Sequence, residues 1–249
     1  MAAVKSSGTT IINNAAQEPE IEALCIFLGK MGADIKGAGT NKIIINGKKE
    51  LKADFEYSII PDRIEAGTFL IAGAITSGCV KVRNVNPDHL RVVIEYLVKA
   101  GFKLDVGNDI ISIQPLNQSI MPVDMTTETY PGFPTDLQAQ WMALMTKAQG
   151  SSTIIEGIYN DRYTHISELS RFGAHIQLSG NKAQIRGQDA LKGAPVMSTD
   201  IRASASLILA ALSAEGKSSI SRIYHIDRGY EDVENKFANI NAEIKRVSE

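Results

Sequence analysis

Three similar segments each place an aspartate just before a run of small apolar residues. They are Ile60-Pro61-Asp62-Arg63-Ile64-Glu65, Phe133-Pro134-Thr135-Asp136-Leu137-Gln138 and Ser198-Thr199-Asp200-Ile201-Arg202. A carboxylate in that position can accept the free backbone N–H groups of a helix start, or it can take a proton as a general base. Spacing alone favours capping for Asp136. For Asp200 and Arg202 it favours a cap and a first-turn side chain. Asp62 followed by Glu65 has the spacing of a capping box. Two arginines stand in loop contexts, Arg162 in Asn160-Asp161-Arg162-Tyr163 and Arg228 in Asp227-Arg228-Gly229. A guanidinium can grip a carboxylate or phosphate through two parallel hydrogen bonds, which lysine cannot. The competing roles are a surface salt bridge for Arg162 and a pair with Asp227 for Arg228. His225, just before the Asp-Arg turn, reads on its own as structural.

The elements that must hold these residues recur along the chain. Gly8, Gly78, Gly150 and Gly216 lie 70, 72 and 66 residues apart, and each precedes a strand-like run: 9–13, 79–85, 152–156 and 218–223. A second glycine follows at Gly32, Gly101 and Gly173. Asn241 takes that place in the fourth unit, where asparagine is the next-best residue for the left-handed conformation after a helix. The first three units then read as hairpins, 33–36 with 42–45, 102–106 with 110–114 and 174–178 with 183–186, turning through Gly and Asn. Each unit is thus α-β-α-β-β with a strand leading in. A period near 70 exceeds that of solenoid repeats and suits a compact domain of similar modules. The helices after each Asp are rich in small residues on all sides, so they should pack closely all round. Residues 1–8 match only the last turns of such a helix, which makes Met1 read as an internal start of a longer pattern. A composition shift near 57–61 marks the one plausible boundary: residues 1–58 as the remaining module of a first domain, 59–249 as most of a second.

Composition excludes several classes. Of 249 residues, 44% are hydrophobic and 22% charged, too apolar for a disordered chain. No apolar run is long enough to span a membrane, and no signal-peptide pattern opens the chain. A net charge of −2 gives no general attraction to nucleic acid or anionic lipid. Cys25 and Cys79 cannot form a disulfide framework and read as core residues in a reducing cytoplasm. The four histidines and two cysteines show no zinc spacing, so no metal or cofactor is expected.

Five stretches together are similar to the signatures of the bacterial UDP-N-acetylglucosamine enolpyruvyl transferases (1-carboxyvinyltransferases). They are Gly8 to Ile21, Pro61-Asp62-Arg63-Ile64-Glu65-Ala66-Gly67-Thr68, Phe133 to Gln140, Thr199-Asp200-Ile201-Arg202-Ala203-Ser204-Ala205, and Arg222-Ile223-Tyr224-His225-Ile226-Asp227-Arg228-Gly229-Tyr230. They come in the family's order and cover nearly the whole chain, which corresponds to about the last three-fifths of a family member. The resemblance implies an inside-out α/β barrel fold of repeated βαβαββ modules, here N-terminally truncated. It implies transfer of the enolpyruvyl group of phosphoenolpyruvate to the 3′-hydroxyl of UDP-N-acetylglucosamine, in peptidoglycan precursor synthesis and hence cell wall biogenesis, cell shape and division.

Carried onto this sequence, the resemblance makes Asp136 the base beside the sugar hydroxyl and puts Asp200 at the active site, with Arg202 in the same motif. It places Arg228 on the phosphoenolpyruvate side, Arg162 near a mobile loop, His225 near the site, and the Ile158 backbone against the nucleotide sugar. Neither cysteine has the Gly-rich loop context of the family's reactive cysteine. The family's N-terminal lysine, that cysteine loop and several arginines have no counterpart here, so a lone chain should lack its acid and half its anion clamp. The expected partners are the two small-molecule substrates and an N-terminal half in trans, with no nucleic acid and no membrane, in the cytoplasm. Two other readings stand beside this one: a relative of 5-enolpyruvylshikimate-3-phosphate synthase, and a catalytically inactive fragment that folds and binds or pairs.

Overall fold

The computed structural model describes residues 1–48, 50–52 and 54–247. The chain divides into two compact units, Met1–Pro61 with Thr129–Gly132, and Asp62–Glu128 with Phe133–Glu249. The first unit ends at Pro61 before resuming in the short 129–132 segment.

In the first unit, β1 (Thr9–Asn13), α1 (Pro19–Lys30), β2 (Asp34–Lys36) and β3 (Lys42–Asn46) follow in order. The strands form an antiparallel sheet in the order β1-β3-β2. Helix α1 opens on Pro19, whose missing N–H costs nothing at a helix start. It supplies Cys25 and Leu28 to a small core with Val4, Ile43 and Ile45.

The second unit repeats that plan. Helix α2 (Arg63–Ile75) leads to β4 (Val80–Arg83), α3 (Arg91–Lys99), β5 (Leu104–Val106) and β6 (Ile110–Ile113), with strand order β4-β6-β5. Next come β7 (Met125–Thr126), α4 (Gln138–Met145), β8 (Ser151–Ile155), α5 (His165–Arg171), β9 (His175–Ser179) and β10 (Lys182–Arg186), in the order β7-β8-β10-β9. Last are β11 (Leu191–Lys192), β12 (Pro195–Met197), α6 (Ile201–Ser213), β13 (Ala214–Glu215), β14 (Ser219–Ser221), a 3₁₀ turn at Ile223–Arg228 and α7 (Val233–Ala238). Strands β11 and β12 pair in parallel with β13 and β14. Each of the four strand-like runs expected from the glycine spacing contains a strand, and the three expected hairpins form.

Helices α2, α4 and α6 pack on one another, and the sheets lie outside them. Every residue of α4 is buried. Such packing needs small residues at the crossings. A Cβ on Gly67 would lie 2.5 Å from Leu137 Cδ1. The backbone specials follow the repeat with one shift. Gly32, Gly101 and Gly173 have φ of 95°, 101° and 90°, and Asn241 takes 67° in the corresponding place. In the second module, however, the positive φ falls on Ser77 (52°) and not on Gly78. Cys79 is also not a core residue. It is exposed, while Cys25 is buried.

Candidate active site

Asp136 is not a helix cap. A 3₁₀ turn, Thr135–Leu137, precedes α4, and the N-cap position of that turn is Pro134. The extra turn leaves the Asp136 carboxylate free of the helix amides, and both its oxygens go to guanidinium groups. Arg162 donates to Oδ1. Arg202 donates to Oδ2 at 2.7 Å. The three side chains are partly buried, at 35%, 24% and 22% exposure for Asp136, Arg162 and Arg202. Burial pushes the Asp136 carboxyl up, but the hydrogen bonds and charges of Arg202 and Arg162 outweigh it and hold the group below its usual range. Burial also opposes the Arg202 charge, and Asp136 more than restores it, so that guanidinium is raised.

Asp200 does cap its helix. Its Oδ1 accepts from the Arg202 and Ala203 amides at 2.8 and 2.9 Å, and its Oδ2 accepts from Thr164 Oγ1 at 3.0 Å. Burial again raises the group, and these hydrogen bonds bring it net below its ordinary value. Arg202 therefore joins the two aspartates, by its backbone to Asp200 and by its guanidinium to Asp136. Asp62 caps α2 in the same way, accepting from Ile64 and Glu65 amides at 2.8 and 3.0 Å. Its expected partner in a capping box goes elsewhere, because Glu65 accepts from Lys236 Nζ at 2.6 Å.

Asp136, Arg162, Arg202 and Asp200 thus come together. Arg228 does not join their ion pairs. It is exposed, and among the described residues it makes none. Asp227 is held instead by Arg246, at 2.7 and 2.9 Å. The loop of Arg228 is nevertheless tied to the cluster. Gly229 lies against Ile201. The Tyr230 hydroxyl meets Thr68 Oγ1 at 2.7 Å, and Gln140 Nε2 donates to both Thr68 Oγ1 and the Asp136 carbonyl at 3.1 Å. His225 is half-buried against the Tyr224 ring. Ile158 is 46% exposed, with its amide donating to Glu156 Oε1 at 3.0 Å. Among the described residues, no group of His, Cys, Asp and Glu could hold a metal ion. No helix among them is long and apolar enough to cross a membrane.

The sequence profile of the EPSP synthase (3-phosphoshikimate 1-carboxyvinyltransferase) family matches residues 1–237. The chain belongs to that family. It is 53% identical to a UDP-N-acetylglucosamine 1-carboxyvinyltransferase of Chlorobium luteolum over 246 residues, 99% of this chain and 58% of that protein. The enolpyruvyl transferase NikO from Streptomyces tendae matches with a TM-score of 0.87 at 26% identity, covering 98% of this chain and 58% of NikO. An EPSP synthase from Acinetobacter baumannii shares the fold, with a TM-score of 0.73 at 19% identity over 100% of this chain and 60% of its own. The chain spans about three-fifths of the length of the relatives it matches. The inside-out arrangement of small-residue helices within sheets is thus the enolpyruvyl transferase fold.

Two residues of this family member sit beside the cluster without having been singled out in the sequence. His165, first in α5, is 1% exposed, and its Nε2 has no partner among the described residues. Burial, helped by the Arg162 charge and opposed by Asp200, lowers its pKa to about 4, so the imidazole is neutral. Glu156, just after β8, is fully buried and accepts hydrogen bonds from four groups. The available signal for both was position alone: His165 follows Arg162 by three residues, and Glu156 closes a β-branched run.

Proposed function

We propose that the chain carries part of the site of a 1-carboxyvinyltransferase that moves the enolpyruvyl group of phosphoenolpyruvate to the 3′-hydroxyl of UDP-N-acetylglucosamine. The observation that carries this reading is the Asp136 carboxylate held between Arg162 and Arg202, next to the Asp200-capped start of α6. Relatives named for that activity, about half identical along nearly all of this chain, supply the substrates.

In this reading the 3′-hydroxyl oxygen attacks C2 of phosphoenolpyruvate and gives its proton to Asp136, while C3 gains a proton. The tetrahedral ketal then loses phosphate, and C3 loses a proton to restore the double bond. A carboxylate with both oxygens occupied by guanidinium groups is a weak base, because each hydrogen bond favours its charged form. An arriving phosphate or carboxylate competes for Arg162 and Arg202, because it can take a bidentate contact from each guanidinium where Asp136 takes a single hydrogen bond. As they turn to it, Asp136 is released and its affinity for a proton rises. The two arginines thus serve first as a clamp on the base and then as ligands for the anionic substrate. Exposed Arg228 binds the phosphoenolpyruvate side, with His225 beside it. The Ile158 amide is committed to Glu156, which leaves its carbonyl, an acceptor, for an N–H or O–H of the sugar. The product serves peptidoglycan precursor synthesis in the cytoplasm, and so cell wall biogenesis, cell shape and division. The acid and the remaining cations come from an N-terminal half, supplied in trans where it is not on the same chain. The scheme needs no metal or cofactor.

The test is phosphate release from phosphoenolpyruvate with UDP-N-acetylglucosamine, by the purified chain with and without the N-terminal half of a relative. We expect little turnover from the chain alone, turnover with the added half, and its loss in Asp136→Ala. Full turnover in Asp136→Ala would remove the base assignment. Absence of nucleotide-sugar binding at millimolar concentration would favour an inactive fragment.

A further inference from the structure

A carboxylate with no exposure to water is costly unless donors surround it. Glu156 has four. Its Oε1 accepts from Thr127 Oγ1 at 2.6 Å and from the Ile158 and Tyr159 amides at 3.0 Å each, and its Oε2 accepts from Thr135 Oγ1 at 3.0 Å. Its own backbone is fixed as well. The Glu156 amide donates to the Asn181 carbonyl, and Asn181 Nδ2 returns a bond to the Glu156 carbonyl, both at 2.9 Å. The Gly157 amide donates to Thr127 Oγ1 at 2.8 Å. A Cβ there would come within 2.6 Å of the Thr127 carbonyl oxygen, so only glycine lets the chain pass this close. The amides of three successive residues, 157–159, are all turned onto this one knot.

The partners of Glu156 are not arbitrary. Thr135 directly precedes Asp136, and the 157–159 turn leads into Arg162, which pairs with Asp136. One carboxylate oxygen therefore holds the loop of the proposed base, and the other holds the turn whose Ile158 carbonyl accepts no backbone hydrogen bond among the described residues. We propose that Glu156 is a positioning residue that fixes the distance between the Asp136 carboxylate and the Ile158 carbonyl, and so sets the preference for an N-acetylated pyranose over the bare nucleotide. This rests on the substrate reading given above. The effect is geometric: it depends on the reach of the side chain more than on its charge.

Two variants separate reach from charge. Glu156→Gln keeps the length, its oxygen can accept from the two amides, and its NH₂ can donate to the Thr135 hydroxyl. Glu156→Asp keeps the charge but is one methylene short of spanning both loops. The measurement is the ratio of dissociation constants for UDP and UDP-N-acetylglucosamine, by calorimetry or ligand-observed NMR, with the purified chain. We expect Glu156→Asp to lower the ratio about tenfold, the equivalent of about 1.4 kcal/mol, and Glu156→Gln to recover most of it. A residue that only stabilised the fold would lower the melting temperature in both and leave the ratio unchanged, which overturns the proposal. So does a loss in Glu156→Gln as large as in Glu156→Asp. Should Glu156→Asp not fold, Thr135→Val, which removes only the Oε2 bond, must lower the ratio; an unchanged ratio refutes the role. If the wild-type chain does not prefer the nucleotide sugar over UDP, it is the substrate reading that fails. The positioning role is then judged by hydrogen exchange at the Ile158 and Tyr159 amides. Exchange about tenfold faster in Glu156→Asp supports it, and unchanged exchange overturns it.

Discussion

His165 makes the chain sensitive to mild acid, and the size of the effect can be worked from its surroundings. The imidazole is 1% exposed, and its Nε2 has no partner among the described residues. Burial lowers its pKa from 6.5 to about 4, with Arg162 adding to the shift and Asp200 opposing it. Between those values the unfolded chain binds a proton that the folded chain refuses. Stability is therefore complete above pH 6.5, falls as pH drops through that value, and stops falling near the folded pKa of about 4. A tenfold difference in proton affinity between the folded and unfolded chain is worth about 1.4 kcal/mol, so His165 alone removes about 2 kcal/mol between pH 7.5 and pH 5 and roughly 3 kcal/mol in all. The depressed carboxyls of Asp136 and Asp200 act with the same sign but in a lower window. Their contribution is intact above the unfolded value of 3.8 and is lost as pH falls through their folded values. The interval from pH 7.5 to 5 thus lies above the window of those two carboxyls.

The assay is urea unfolding at pH 7.5 and pH 5. It is followed by the fluorescence of Trp141, the single tryptophan, which is wholly buried in α4 of the second unit. The comparison is with His165→Gln, which cannot titrate. The variant's absolute stability is immaterial, because other ionisable groups cancel in the difference between the two proteins. We expect the wild type to lose about 2 kcal/mol more than the variant, a shift of roughly 4–8 °C in melting temperature for a chain of this size. Equal losses in the two proteins would show that the buried site readily admits a charged imidazolium, and would refute the reasoning.

Gly67→Ala should destabilise the second unit by roughly 1–3 kcal/mol in the same assay, because the added Cβ overlaps Leu137 Cδ1 at 2.5 Å where α2 passes the Asp136 turn. Arg246→Ala should cost less than about 1 kcal/mol, since its pairs with Asp227 and Glu234 lie at the surface and are partly exposed. Its pH signature is more telling. Arg246 holds both carboxyls below their ordinary values, so NMR titration of Asp227 and Glu234 should show both moving up in the variant.

The modules were legible because their signals are local. A glycine at a helix end, a β-branched run and a Gly-Asn turn each act within a few residues, and Asn241 could be matched to Gly32, Gly101 and Gly173 from its backbone preference alone. The departures from the repeat have a local cause too. Ser77 takes the left-handed conformation one residue before the aligned Gly78, and the Gly78 amide then closes the helix end on the Gly73 carbonyl at 2.9 Å. Cys79 lies next to β4 rather than in it, and the strand's alternation therefore does not bury it.

The site was legible only in part, because its decisive contacts are distant in sequence. Asp62, Asp136 and Asp200 look alike as helix-start aspartates, and two of them are caps. What separates Asp136 is a single extra 3₁₀ turn, which rotates the carboxylate off the helix axis toward Arg162 and Arg202, 26 and 66 positions away. No propensity scale contains that turn, and it decides whether the group is a cap or the centre of an ion-pair cluster. Arg228 shows the converse. Its neighbour Asp227 was the obvious partner, yet Arg246, 19 positions on, takes that carboxylate with two nitrogens and leaves Arg228 exposed. Glu156 is harder still, since two of its four donors are backbone amides that every residue but proline carries, and the other two are threonines 29 and 21 positions away. Residue type marks what a side chain can do. Which of those things it does is set by whichever donors the folded chain brings within about 3 Å, and in this site most of them come from other modules or from the backbone itself.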